Sequence, residues 1–375
     1  MGKSNGVKEY FKNNSLIKII KLSNLNGKYI AIDASGMIHR AKIHSRNKWW
    51  LQFINLMNKF SNYDIKPIIV FDGKPPIEKK EIIEKRKQRQ DKNKDKLNDS
   101  LDEGIHLNEE NIDNPDNNDN FDNLLKDNLL KINKLENQLM SYIEINDVEL
   151  CKQICKNMGI PFIHIKSLEA DDIFPYLINE NIVDGVYSED NDMFRRGCKQ
   201  VYFGLDYNLN LIYEFNYDEV ISSMNITIKQ FNDAYDSAGT DYGTDNLEYC
   251  KFTQTIELII KYGTLENVIS NLDKINEGKI TRIIKIPKRF DIVKTREILD
   301  GELSEKVIKQ INETVINFKH IFENVKVKYK EYIAKIFTEI DLLCCKESKK
   351  ESTKESNKYK IQVKEYYKNA FDIYL

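Results

Sequence analysis

The chain has 375 residues, enough at roughly 100–200 residues per domain for two or three units and a sizeable buried core. Its 57 Lys and Arg against 59 Asp and Glu leave a formal net charge of −2, which excludes a uniformly basic nucleic-acid coat but not a local basic patch. With 41% hydrophobic, 31% charged and 10% aromatic residues, the composition excludes a globally disordered chain and a fibrous one.

An amphipathic start leads to an apolar run, KYIAIDA (Lys28 to Ala34), and a helical stretch from about Ser35 to Phe60. A second apolar run, KPIIVFDG (Lys66 to Gly73), follows, so two strand-like segments flank a helix-length one and read as a βαβ unit with parallel strands. KPPIEKKEIIEKRKQRQ (Lys74 to Gln90) is expected as one basic helix with Pro75 and Pro76 at its start. Between Asp99 and Asp127 there are ten acidic residues and only Lys126 as a base, and the Asn/Asp low complexity of NIDNPDNNDN predicts disorder or weak helicity in isolation.

A helical pattern then runs to Gly159, with Pro161 just beyond. A strand over 160–165, a helix with Ser167 as its N-cap and a strand around Gly185 to Tyr187 continue the α/β alternation. A hairpin-like pair follows, Gln200 to Gly204 with Leu211 to Phe215, and then helices from Tyr217 to about Asn271. The rest is Lys- and Ile-rich and mostly helical, closing on a polar run, KESKKESTKESNK, expected to be a mobile tail.

The six cysteines (Cys151, Cys155, Cys198, Cys250, Cys344, Cys345) form no C-x-x-C pair and read as reduced thiols of an intracellular protein. No stretch approaches the ~18–20 apolar residues of a membrane span, and MGKSNGVKEYFKNN lacks the apolar core of a signal peptide. Gly6 stands where myristoylation needs Ser or Thr.

The chemistry lies in where carboxylates fall relative to strand ends. Asp33 ends the first apolar run and Asp72 the second; Glu169 and Asp171 open the helix in SLEADD; Asp190 and Asp192 follow the next strand in YSEDND; Asp241 lies in AGTDYGTDN. In an open parallel sheet such positions converge on the crevice beyond the carboxyl ends of the strands. Singly, each acid reads as a cap, a turn residue or part of a solvated face. Together they would repel and rise in pKa unless cations neutralised them, and hard oxygen donors in that number call for Mg²⁺ or Mn²⁺ rather than zinc. Two such ions about 3.5–4 Å apart suit displacement at phosphorus.

The ordered blocks IAIDAS, IKPIIVFDGKPP with EKRKQR, MGIPF with SLEADD, VYSEDND and AGTDY resemble those of the flap endonuclease and XPG family of structure-specific 5′ nucleases, over about residues 1–270. The resemblance implies an α/β fold: a central, mostly parallel twisted sheet flanked by helices (a PIN-like nuclease core), with a helical arch and a helix-two-turn-helix-like region. It implies that Asp33, Asp72, Glu169 and Asp171 hold a first Mg²⁺, and that Asp190, Asp192 and Asp241 hold a second, with Asp171 between them. It matches Lys79 and Arg86 to the cations that clamp the scissile phosphate, and sets Arg46, Arg89, Gly239 and His39 in contact with DNA, His39 where relatives carry a stacking tyrosine. Lys79 and Arg86 are seven residues apart and would share a helix face.

Departures from the family pattern stand beside the matches. GTDNLEYCKFTQTIELII lacks the Gly-x-Gly hairpin of a potassium-binding helix-two-turn-helix; Leu56, with Lys59 nearby, replaces a DNA-contacting arginine; the arch is acidic where a basic one is usual; and no sliding-clamp box is present. The Trp49-Trp50 pair reads as core or wedge rather than as a base-stacking platform.

The organisation expected is an N-terminal nuclease region (1–90), an acidic arch or linker (91–140), an internal nuclease region (141–272) and a helical C-terminal region with a polar tail (273–375). The function expected is Mg²⁺-dependent cleavage of DNA near single-strand/double-strand junctions, endonucleolytic or 5′–3′ exonucleolytic, in repair or replication. Such a protein would be monomeric and act in the nucleus or, if viral, at a replication site. The alternatives are a catalytically inactive DNA-binding relative or scaffold, and a PIN-like ribonuclease.

Overall fold

Period-two alternation through short apolar runs decides the architecture. The computed structural model describes residues 6–45, 48–113, 118–240, 242 and 245–324. The expected polar tail, the adjacent cysteines Cys344 and Cys345, and the site candidates Arg46 and Asp241 therefore lie outside the described residues.

In chain order, α1 (Val7–Asn13) precedes β1 (Lys18–Lys21) and a 3₁₀ turn, Leu22–Leu25. Then come β2 (Tyr29–Asp33), α2 (Ala34–Ser45), α3 (Trp49–Asn62) and β3 (Lys66–Phe71). A second 3₁₀ turn, Ile77–Lys79, leads into α4 (Lys80–Asp113), α5 (Asn118–Met140), α6 (Ile145–Met158) and β4 (Phe162–His164). Next are α7 (Ala170–Asn179), β5 (Gly185–Tyr187), α8 (Asp192–Arg195) and the hairpin β6 (Gln200–Asp206) and β7 (Leu211–Asn216). The chain continues as α9 (Tyr217–Met224), α10 (Ile228–Ala238), α11 (Phe252–Tyr262), α12 (Leu265–Ser270), α13 (Leu272–Asn276), α14 (Ile292–Leu299) and α15 (Glu305–Asn324).

Among the described residues the strands form one sheet in the order β1-β7-β6-β5-β2-β3-β4. The run from β6 to β4 is parallel, and β7 pairs antiparallel with both β6 and β1. This is the mostly parallel sheet the sequence predicts. Ala31, Ile68, Val70, Ile163 and Val186 face one core with Phe11, Ile173, Phe174, Phe231 and Phe252. The intervening Ile30, Ile32, Ile69, Phe71 and Tyr187 face the other, with Ile38, Trp49, Trp50, Phe53 and Cys155. Both tryptophans are core, at 7% and 8% exposure, and Leu56 is buried with them. The four described cysteines are free and buried.

Two local expectations are corrected. The helical stretch after β2 is two helices, α2 and α3. Ser167 does not cap α7; Glu169 holds that position in extended backbone without a side-chain cap bond. The acidic stretch, where described, is helical: α4 and α5 form an antiparallel pair in which Asn128 Nδ2 donates to Ser100 O (2.9 Å) and Lys131 pairs with Glu103 (3.1 Å). A second helix supplies the polar partners and the apolar cover, at Leu135, that this low-complexity segment lacks alone.

Candidate active site

β2 steps to β3 and β4 on one side, while β5 and β6 lie on the other, so the sheet's topological switch falls between β2 and β5. Asp33 ends β2 there. Its Oδ2 accepts from Ser188 Oγ (2.9 Å), just beyond β5, and its Oδ1 from the Gly36 N–H (3.0 Å). A Cβ on Gly36 would stand 2.4 Å from Asp33 Oδ2, so the carboxylate needs a glycine at that position. Strand alternation turns Asp33, Asp72 and Ser188 toward the face covered by α7.

Asp72 is brought to α7 by main-chain stitching. Gly73 N donates to Leu168 O (2.7 Å) and Lys74 N to Lys166 O (2.8 Å). The fit is tight enough that a Cβ on Gly73 would lie 2.1 Å from Ile165 O. Asp72 Oδ1 then accepts the Ala170 N–H (2.7 Å), acting as a cap from a distant strand where the helix's own N-cap residue provides none. That leaves the Glu169 side chain to meet Lys79 Nζ at 2.5 Å, and the first turn of α7 presents Asp171 and Asp172. On the far side of the switch, Asp190 N donates to Ser188 Oγ (3.0 Å) and Asp190 Oδ1 accepts from Asp192 N (3.1 Å). The neighbouring Glu189 is engaged by Arg40 and by the Gly204 N–H (3.0 Å). Asp192 opens α8 and is buried against α10, where Tyr235 Oη donates to it (2.9 Å).

The electrostatics record the crowding. Burial, then the charge of Asp72, pushes the Asp33 carboxyl up to about 7 against the pull of its two donors. Burial followed by Asp190 and Asp72 raises Asp171 well above the carboxylate range, and burial raises Glu169 despite Lys79. Burial works against the Lys79 charge, but Tyr242 and the carboxylates of Glu169 and Asp171 outweigh it and hold its pKa above the ordinary lysine range.

Lys79 does not share a helix with Arg86, as the seven-residue spacing predicts. Pro76 is extended, a 3₁₀ turn follows, and α4 begins only at Lys80. Lys79 accordingly turns inward, 11% exposed, while Arg86 and Arg89 are exposed on α4. The Arg86 charge still reaches His39, half-buried on α2, whose pKa is lowered by burial and by nearby cations including Arg86 and Lys42. Gly239 closes α10 at φ +119, packed on Asn246.

Two further residues, Tyr242 and Arg196, join the site. The Tyr242 ring lies 4.7 Å from Lys79 Nζ and 5.5 Å from the Arg196 guanidinium. Arg196 donates to Tyr242 Oη and pairs with Asp172 at 2.9 Å, with its Nε buried and unbonded among the described residues. Its neighbour Arg195 turns the other way, forking onto Asp236 (2.6 and 2.9 Å). In the sequence, the double arginine of MFRRG hints at Arg196, and Tyr242 closes the AGTDY block.

Among the described residues no three His, Cys, Asp or Glu side chains stand close enough to hold an ion as placed. Four of the acids are engaged with proton donors instead, Glu169 with Lys79, Asp72 with a helix N–H, Asp33 with Ser188 and Asp192 with Tyr235. The donor set is nonetheless all oxygen, and the raised carboxyls of Asp33 and Asp171 mark mutual repulsion that a hard divalent cation would relieve. The residues fit such an ion.

Comparison with known proteins follows the same frame. Residues 2–93 match the XPG N-terminal domain and residues 159–241 the XPG I-region. Flap endonuclease 1 of Plasmodium knowlesi is 26% identical over 326 residues, covering 78% of this chain and 48% of its own length. A probable RAD2-like endonuclease of Invertebrate iridescent virus 6 is 28% identical over 280 residues, 67% of this chain and 66% of its own. The chain spans about half the length of the first of these curated relatives. The catalytic core of Rad2 in complex with DNA substrate shares the fold at TM-score 0.52 and 19% identity, over 88% of this chain and 86% of that one. The Holliday junction-resolving enzyme GEN1, solved with product DNA and a Mg²⁺ ion, does so at TM-score 0.52 and 15% identity, over 82% and 68%. With both XPG regions matched in order on a fold shared with Rad2 and GEN1, the comparisons support the flap endonuclease and XPG family for this chain.

Proposed function

We propose that the chain is a divalent-metal-dependent, structure-specific nuclease that hydrolyses DNA phosphodiesters near single-strand/double-strand junctions, in repair or replication. The observation that carries this is the convergence of Asp33, Asp72, Asp171 and Asp190 on the sheet's switch point with Lys79 beside them. The relatives' own descriptions, a flap endonuclease, a Rad2 core with DNA substrate and a junction resolvase with Mg²⁺, support the substrate class and the ion.

Asp33, Asp72, Glu169 and Asp171 would hold one Mg²⁺ or Mn²⁺, and Asp190, Asp192 and Asp241 a second, Asp171 lying between the two sets. When bound, such ions activate water and neutralise charge at phosphorus. The chain's own groups do the rest. Lys79, released from Glu169, turns its ammonium to the non-bridging phosphate oxygens, and the Tyr242 ring keeps it close to the acids. Arg86 adds a second cation from α4, and His39 offers a flat face to the base beside the cut. Arg46, Arg89 and Gly239 would contact the DNA backbone. The protein would act as a monomer in a nucleus or at a viral replication site.

A panel of end-labelled DNA substrates tests the reading: 5′ flap, bubble, four-way junction and blunt end, each with Mg²⁺, beside an RNA copy of the flap. Cleavage of at least one junction-bearing DNA in preference to the blunt end and the RNA is expected. Cleavage of RNA alone, or of no substrate, would reject it.

A further inference from the structure

We propose that the basic loop between α13 and α14 is an electrostatic seat for the sugar-phosphate backbone of duplex DNA, holding the double-stranded arm of the substrate beside the candidate site. This rests on the DNA reading above and adds where the duplex lies.

Residues 277–291 carry Lys279, Arg282, Lys285, Lys288 and Arg289 against two acids, Glu277 and Asp291. The first four are exposed, and none forms an ion pair among the described residues. A solvated lysine run has no fixed shape, but this loop is pinned. Asn276 clamps Ile284 in both directions, Nδ2 donating to Ile284 O (2.9 Å) and Oδ1 accepting from Ile284 N (3.0 Å), and Ile284 is buried. Lys285 pairs with Glu248 in an antiparallel bridge, Glu248 N donating to Lys285 O (3.0 Å), and Asp245 N donates to Arg289 O (3.2 Å).

These ties also fix its place. The 245–248 segment follows Tyr242, whose ring meets Lys79, and the Arg289 guanidinium forks onto Glu81 (2.9 and 2.7 Å), two residues beyond Lys79 in the chain. The loop thus borders the site at the base of α4, and Arg289 is committed to that join while the other four cations face solvent. Residues 245–262 contain no glycine, so a glycine turn presenting backbone amides to phosphate is not offered there. The loop's one aromatic, Phe290, is packed against the core, so it offers no free ring to stack an unpaired base, the usual grip on single strands. A pinned row of cations without stacking groups suits the stiff, regular charge of a duplex.

The test is binding without hydrolysis. Fluorescence anisotropy of the full chain in EDTA, across a salt series, compares a blunt DNA duplex with a single strand of the same length. Each phosphate contact contributes about 0.9 to the slope of log affinity against log salt. The variant Lys279→Gln, Arg282→Gln, Lys285→Gln, Lys288→Gln should therefore bind duplex with a slope shallower by about 3–4 and more than about tenfold more weakly, with single-strand binding changed far less. A second variant that keeps the charges, Lys279→Arg, Lys285→Arg, Lys288→Arg, should keep the wild-type slope. An unchanged duplex slope in the first variant, equal losses on both ligands, or the same loss in the charge-keeping variant overturns the proposal. Wild-type binding to duplex without cleavage in Mg²⁺ would sink the nuclease reading alone.

Discussion

Replacing Asp33 by Asn should flatten the pH dependence of stability of the metal-free protein. Asp33 is 6% exposed, and burial together with Asp72 lifts its carboxyl from an ordinary 3.8 to about 7. A carboxyl raised in the folded state contributes stability that is fully present below the unfolded pKa and is lost as pH climbs through the folded one. Between about pH 4 and pH 7 the native state keeps a proton that the unfolded chain has released, so stability falls by about 1.4 kcal/mol per pH unit, or about 4 kcal/mol across the window for this group acting alone. Asp171, raised in the same direction, adds to the slope and shares it. The two tryptophans, Trp49 and Trp50, lie in the core beside β2 and report unfolding. Denaturant titrations in EDTA, followed by their fluorescence from pH 4 to pH 8, should show wild-type stability declining toward high pH. Asp33→Asn should remove about one proton's share of the decline, and Mg²⁺ at pH 8 should restore the wild type much more than the variant. A wild-type profile flat over this range, or an Asp33→Asn profile as steep as wild type, would refute the electrostatic account of the crevice.

Other substitutions probe separate joints. Lys79→Ala should lower the cleavage rate at saturating substrate by about 10²–10³-fold with little change in KM, in steady-state kinetics on a cleaved DNA. Arg196→Met strands Asp172 and the Tyr242 hydroxyl, and should cost about 3 kcal/mol in denaturant melts. Gly73→Ala forces a methyl against Ile165 O, and should destabilise by about 1–3 kcal/mol while reducing Mg²⁺-dependent protection against unfolding, because the same shift moves Asp72.

The parts of the fold and site readable from sequence are those with a local period. Apolar runs ending in Asp33 and Asp72 announce parallel strands, since both faces of the sheet are covered and each strand reads as nearly continuous Ile and Val. Gly159 ends α6 in the left-handed conformation that its position predicts. What escaped depends on distant partners. β1, with its KIIK sequence, is a mostly exposed edge strand that exists through its ladder to β7. The α4–α5 pair hides behind a composition that reads as disorder. Lys79 leaves the helix because two prolines delay it, and its neighbour Tyr242 arrives from 163 residues along the chain. Arg196 meets Asp172 through the packing of α7 beside the end of α8, which no spacing encodes.

The claim at the centre of this account is that the acids at the switch point carry out phosphodiester hydrolysis on junction DNA. Its most direct measurement is a single-turnover assay on a 5′-labelled flap duplex with the wild type and Asp190→Ala, with and without Mg²⁺. The account predicts wild-type cleavage near the junction, only with Mg²⁺, leaving 5′-phosphate and 3′-hydroxyl ends, and a loss of at least about a hundredfold in Asp190→Ala. Cleavage that persists in EDTA, or at the wild-type rate in Asp190→Ala, would contradict it.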